Sequence, residues 1–280
     1  LYANETLADH QIDSLGLVEL VVYLEDALGI SIEVDKVNPL MTLEEFVRYL
    51  SSCPQHAGAN LDEMILQSPI TTKKTVFPNP LAELLLFIVR HLSRFFWDFQ
   101  IINEDRLIPD NSIIAANHQS YLDLPWLVCR LPYRLRKRIF ITGKKELSFL
   151  GYPFIGSPIL FVDRQGNIVP SLKAAADVLR SGASLIIFPE GTRTNDGTLG
   201  KFKSGAAYLA YHLDKKIIPV TVRGAFEIMP RNTIIPRFFS GTKGRLIVGK
   251  AVDPRNFASV EELNDHLRSI ILEQQTLPAE

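Results

Sequence analysis

The chain has 280 residues, is 46% apolar, and its 31 acidic and 30 basic side chains give a formal net charge of −1. That composition excludes a disordered or fibrous chain and suffices for a sizeable core in one or two domains. Two cysteines, Cys53 and Cys129, leave no disulfide framework and no Cys/His metal spacing, and they point to a reducing compartment.

The near-zero balance conceals two unlike parts. Residues 1–60 carry 10 acidic and 2 basic side chains, a net of −8, whereas residues 61–280 carry 21 and 28, a net of +7. Opposite charge predicts two modules with different partners. The basic one suits an anionic membrane surface, an anionic substrate or the acidic module itself. The chain starts at Leu1 with no charged-then-apolar leader, which reads as a piece of a longer polypeptide without a signal peptide.

After Asp13-Ser14, apolar residues fall at Leu17, Leu20, Val21, Leu24 and Leu28, the stripe of an amphipathic helix that Gly29 closes. By local sequence Ser14 is an N-cap serine. Thr42-Leu43-Glu44-Glu45 is a capping box, and Leu43, Phe46, Val47 and Leu50 make the short helix behind it. Residues 53–78 read as a linker, because Pro54, Gly58, Pro69 and Pro78 interrupt any long period, with a short helix at 61–66. A helix is predicted over 80–97. Leu81, Leu84, Leu85, Ile88, Leu92, Phe95 and Phe96 fill one broad face, and Leu86, Phe87 and Trp97 make the other apolar too. Such a helix is buried or touches lipid. No stretch reaches the ~20 apolar residues of a spanning helix, so 80–97 reads as interfacial or buried.

Strands are predicted at 112–116, 138–142, 158–162, 184–188, 217–222 and 245–248, and helices at 121–131, 170–180, 204–213 and 260–273. The alternation argues an α/β domain with a mixed or mostly parallel sheet flanked by helices.

Two turns in that domain carry chemistry. Asn117-His118-Gln119-Ser120-Tyr121-Leu122-Asp123 follows the first of these strands. On one continuous helix His118 and Asp123 would point about 140° apart. Cooperation therefore needs a turn, with His118 at the strand exit and Asp123 in the first turn of the next helix. Asp123 would then accept the Nδ1 proton and leave Nε2 as a base, a triad whose nucleophile is the substrate. Phe188-Pro189-Glu190-Gly191-Thr192-Arg193 closes another strand; Gly191 allows close backbone approach, and Arg193 suits a phosphate. Val162-Asp163-Arg164 puts a further Arg at a strand exit, and Ile218-Pro219-Val220 is an apolar block with an internal proline. Arg134, Arg136, Lys137 and Arg138 form a basic run without any nucleic-acid-binding motif beside it.

These four blocks in this order resemble the glycerolipid acyltransferase family, lysophosphatidic acid type, over 79–280. The resemblance implies direct acyl transfer with His118 as general base and Asp123 behind it. Arg164, Gly191, Thr192, Arg193 and, in a less certain register, Lys144 would hold the acceptor phosphate. Glu190 would bind acceptor hydroxyls or organise Arg193. No metal is required. The expected donor is acyl-ACP or acyl-CoA, the expected acceptor a lysophospholipid, most readily 1-acyl-glycerol 3-phosphate, and the expected place the cytoplasmic face of a membrane. Lysophosphatidylethanolamine, glycerol 3-phosphate or an amino-acid lipid are alternative acceptors, and a carrier module with a silent transferase is the alternative of another class.

Residues 1–52 in turn resemble an acyl carrier protein, on Ile12-Asp13-Ser14-Leu15-Gly16, the acidic helix after it and Ile30-Ser31-Ile32. That implies a 4′-phosphopantetheine arm on Ser14. Only 13 residues precede Ser14, so the long first helix of such carriers is missing.

Overall fold

The computed structural model describes residues 5–10, 12, 16–18, 20–21, 24, 30, 32–53, 80–108, 110–143, 157–161, 169–233 and 235–276. Most of the expected linker, with the short helix at 61–66, lies outside them.

Seven strands make one sheet: β1 (Gln100–Ile102), β2 (Ile113–Ala116), β3 (Ile139–Gly143), β4 (Ile159–Phe161), β5 (Ser184–Ile187), β6 (Ile217–Arg223) and β7 (Arg245–Val248). Their order is β1-β7-β6-β2-β5-β3-β4. From β6 to β4 every pairing is parallel; β7 pairs antiparallel with β6, and β1 pairs parallel with β7, so both run against the rest. The parallel part is buried on both faces, which is why β2 reads Ile-Ile-Ala-Ala without alternation and why all four residues are fully buried.

The helices are α1 (Leu43–Ser52), α2 (Pro80–Trp97), α3 (Asp123–Val128), α4 (Tyr133–Arg136), α5 (Val169–Arg180), α6 (Gly205–Leu213), α7 (Ala225–Ile228) and α8 (Val260–Thr276). One apolar cluster joins α5, α6 and α8 to one face of the sheet; α2 and α3 close the other. The helix expected over 121–131 is shorter, ending at Val128, and a separate turn, α4, follows Pro132.

The helix expected over 80–97 forms with those bounds, but its faces divide differently from the sequence reading. Ala82, Leu86, Ser93 and Trp97 are buried. Trp126 of α3 donates its indole N–H to Ser93 Oγ at 2.9 Å, Trp97 donates to the Arg237 carbonyl at 3.0 Å, and Glu83 pairs with the buried Arg136. Leu81, Leu84, Phe87, Ile88, Leu92 and Phe95 stay exposed, Phe95 at 81%. Phe239, 93% exposed, meets Phe96 edge-on at 5.6 Å and extends that apolar ridge. No described helix is long and apolar enough to cross a membrane.

Near the N-terminus Gly16, Leu17, Val18, Leu20, Val21 and Leu24 are helical. Leu7, Leu17, Val21, Ile30, Ile32, Val37 and Phe46 make a small core of their own. The capping box at Thr42 and Glu45 forms in full. Val18 departs from that core: it is 2% exposed and belongs to the cluster of Leu172, Ala176 and Leu179 on α5, while Val34 packs against both clusters.

Candidate active site

β2 and β5 are adjacent and parallel, so the turns that follow them leave the same edge of the sheet. That places the His118 turn beside the Glu190 turn. Thr194 N–H donates to the His118 carbonyl at 2.8 Å, and His118 N–H donates to Glu190 Oε1 at 2.7 Å. On the other side Asn117 acts as a surrogate strand residue. Its amide donates to the Val222 carbonyl at 2.9 Å and its oxygen accepts Val222 N–H at 2.7 Å, tying the exit of β2 to β6. Ser120 Oγ–H donates to the Met229 carbonyl at 2.8 Å. The His118 turn is thus held from three directions.

Within it, His118 Nδ1 lies 2.8 Å from Asp123 Oδ2. Asp123 opens α3, is fully buried, and the same oxygen accepts the N–H groups of Gln119 and Ser120 at 2.7 and 2.8 Å. An oxygen that already accepts two N–H groups acts as acceptor toward the ring as well. The ring hydrogen therefore sits on Nδ1 and the Nε2 lone pair is left for substrate. Phe188 stacks on the imidazole at 4.1 Å, so Asp123 fixes the tautomer and Phe188 the ring plane.

Gly191 takes φ +73°, which favours glycine, and a Cβ there would come within 3.3 Å of Lys203 Cε, which a small shift of the lysine side chain relieves. Arg193 lays its guanidinium 3.6 Å from the centroid of the exposed Tyr121 ring and donates to the Arg231 carbonyl at 3.2 Å. Arg231 returns a bond to the Arg193 carbonyl at 3.3 Å. Thr192 is exposed beside them. The turn thus collects Arg193 and Lys203 beside the Gly191 backbone, a set suited to an anion.

Glu190 spends its oxygens on backbone: Oε1 on His118 N–H and Oε2 on Gly200 N–H at 2.9 Å. Its carboxylate therefore locks the two turns together rather than reaching Arg193. Burial pushes the Glu190 carboxyl above the ordinary carboxylate range, and the two backbone donors offset only part of that.

The structure brings His118, Asp123, Glu190, Gly191, Thr192 and Arg193 to one edge. Ser14, Lys144 and Arg164 lie outside the described residues. Lys203 and the Tyr121 platform were not anticipated. Lys203 stands twelve positions after Gly191 in a loop, and no local spacing marks it. Burial pushes the Cys129 thiol up to about 11, consistent with an inert core thiol.

Comparison with known proteins adds to this geometry. Residues 98–223 match the family model for acyltransferases, and residues 1–50 match that for the phosphopantetheine attachment site. A chloroplastic 1-acyl-sn-glycerol-3-phosphate acyltransferase of Arabidopsis thaliana is 34% identical over 42% of the chain, a match spanning 33% of that relative's own length. A probable 1-acyl-sn-glycerol-3-phosphate acyltransferase of Mycoplasma genitalium is 29% identical over 61% of this chain and 69% of its own. The solved 1-acyl-sn-glycerophosphate acyltransferase PlsC of Thermotoga maritima shares the fold at a TM-score of 0.55, with 23% identity over 70% of this chain and 83% of that one.

Proposed function

We propose that this chain, whose residues 98–223 are an acyltransferase-family segment, is an O-acyltransferase that moves a fatty acyl group from a thioester to the free hydroxyl of 1-acyl-glycerol 3-phosphate, forming phosphatidic acid. The observation that carries the reading is the Nδ1 to Asp123 contact at 2.8 Å, which puts the ring hydrogen on Nδ1 and leaves the Nε2 lone pair of His118 available.

In this reading Nε2 takes the proton of the acceptor hydroxyl as its oxygen attacks the thioester carbonyl. That attack forms the new ester C–O bond and a tetrahedral intermediate, which collapses by re-forming the carbonyl and breaking the C–S bond, and the departing thiolate recovers the proton from His118. Asp123 stabilises the transient imidazolium, and general-base action of this kind contributes roughly 10²–10⁴ in rate. The acceptor phosphate rests on the Gly191-Thr192-Arg193 turn with Lys203, completed by Arg164 and Lys144. Binding there draws Arg193 off the Arg231 carbonyl and fixes the hydroxyl beside His118. Glu190 is a positioning residue for the base.

The donor is an acyl chain on the phosphopantetheine of Ser14 or on a separate carrier or CoA. Residues 1–52 serve as carrier, 53–78 as linker and 79–280 as transferase. The burial of Val18 in the transferase cluster, four positions after Ser14, supports delivery in cis, where tethering raises effective concentration. The apolar ridge of α2 supports a peripheral place on a membrane, which this reading puts at its cytoplasmic face, with Trp126 of α3 bonded to Ser93 on the opposite, buried side of α2.

The test is acyl transfer from acyl-CoA and acyl-ACP to lysophosphatidic acid and to lysophosphatidylethanolamine. Phosphatidic acid as the main product supports the proposal, and Arg193→Ala should then raise KM for lysophosphatidic acid by about tenfold or more, the effect of losing a charge-assisted phosphate contact. Exclusive use of lysophosphatidylethanolamine would overturn the acceptor, and no transfer from either donor would overturn the reaction.

A further inference from the structure

The C-terminal half of α2 borders an open cleft of about 480 Å³ that involves none of the catalytic residues. Arg90, His91 and Arg94 of α2, Arg130 beyond α3, and Glu104 line it together with apolar side chains of the β1 segment. With His91 neutral, three arginines against one glutamate give the lining a formal charge of +2. Glu104 is fully engaged by Arg130 through two bonds of 2.8 Å. Arg94 has only a 3.7 Å contact to Asp98, and among the described residues Arg90 has no ion pair. The cleft therefore holds uncompensated positive charge. β1 lies three strand spacings from β2, about 14 Å across the sheet, so the cleft stands apart from the His118 turn.

Its neighbours say what kind of anion it meets. Arg90 and Arg94 are four apart and stack on one side of α2. Phe87 is three residues before Arg90, about 60° round the helix, and its ring meets that of His91 in a tilted contact at 4.0 Å. The basic stripe is thus the rim of the exposed ridge of Leu84, Phe87, Ile88, Leu92 and Phe95. An apolar helix face rimmed by arginines fits the boundary between acyl chains and phosphates in a bilayer, and a free anion has no use for the ridge.

We propose that this cleft binds the phosphate headgroup of an anionic membrane lipid, as a site separate from the acceptor site, and so sets the orientation of the enzyme on the bilayer. The inference rests on the interfacial reading of α2, and the test separates the two. The full-length chain is floated with vesicles of phosphatidylcholine alone and of phosphatidylcholine with phosphatidylglycerol, beside Arg90→Gln/Arg94→Gln and a control of equal charge loss, Arg134→Gln/Lys137→Gln. The expected result is that wild type prefers the anionic vesicles and that the Arg90/Arg94 variant binds them roughly 30-fold more weakly, from the usual contribution of two basic residues at an anionic surface. Phosphatidylcholine binding, turnover on a detergent-dispersed acceptor and the control variant should be unchanged. Wild type floating with neither vesicle would overturn the interfacial reading itself. Equal binding to both vesicles, an equal loss in the control, or displacement from anionic vesicles by inorganic phosphate at constant ionic strength would overturn the headgroup site alone.

Discussion

At the scale of single residues, the His118 and Asp123 side chains meet because a turn, not a helix, joins them. Asp123 is buried with three donors on one oxygen, so its position is fixed by backbone as much as by the imidazole. This much was legible in the sequence: a base and a carboxylate five apart after an apolar strand require a turn to meet. The work of Glu190 was not legible, because its partners are the backbone amides of His118 and Gly200, and any residue type supplies those. Burial holds the Glu190 carboxyl above its ordinary value. The native state then binds that proton more tightly than the unfolded chain does. The resulting stabilisation is full below the ordinary carboxylate value and is lost as pH rises through the raised one. Glu190→Gln should remove that decline. Urea unfolding across mildly acidic pH checks it; an unchanged slope in the variant would assign the pH dependence to other groups.

At the scale of elements, the sheet followed from composition. Short β-branched runs between helical periods predicted six strands, and the structure pairs all six. β1 escaped because it is three residues long with an exposed, half-buried, exposed pattern, and it exists through its pairing with β7. The faces of α2 could not be assigned either: a helix apolar nearly all round carries no internal mark of which side meets protein. Ser93, the one small polar residue able to receive the Trp126 indole, decides it. Gly244 belongs to the same contact. A Cβ there would lie 2.8 Å from the Trp126 ring and 3.2 Å from Phe99. Gly244→Ala should overpack this layer and destabilise by about 1–3 kcal/mol. A urea midpoint within error of wild type would show that the Trp126 layer yields without cost.

At the scale of the whole molecule, the opposed charges of the two parts predict two modules; residues 7–53 hold one apolar cluster and the two faces of the sheet hold two more. What the sequence did not announce is that Val18 leaves the small core for the large one, since its place in the helical stripe resembles that of its neighbours. If that contact presents the carrier arm to the transferase, Val18→Asp should slow transfer of an acyl group loaded on the chain's own carrier segment by about tenfold, the share of tethering lost with the dock. Transfer from acyl-CoA should remain as in wild type. Equal losses with both donors would mean that Val18 supports the fold and not delivery.

The claim on which the rest stands is that His118 is the base. The most direct test is the rate of ester formation from a pre-bound acyl thioester and lysophosphatidic acid, compared between wild type and a His118→Ala variant with an unchanged urea midpoint. A fall of about 10²–10⁴ in kcat with little change in KM for the acceptor is the predicted result. A variant that keeps its kcat and loses only acceptor affinity would contradict it, and would make His118 a binding residue in a site whose base lies elsewhere.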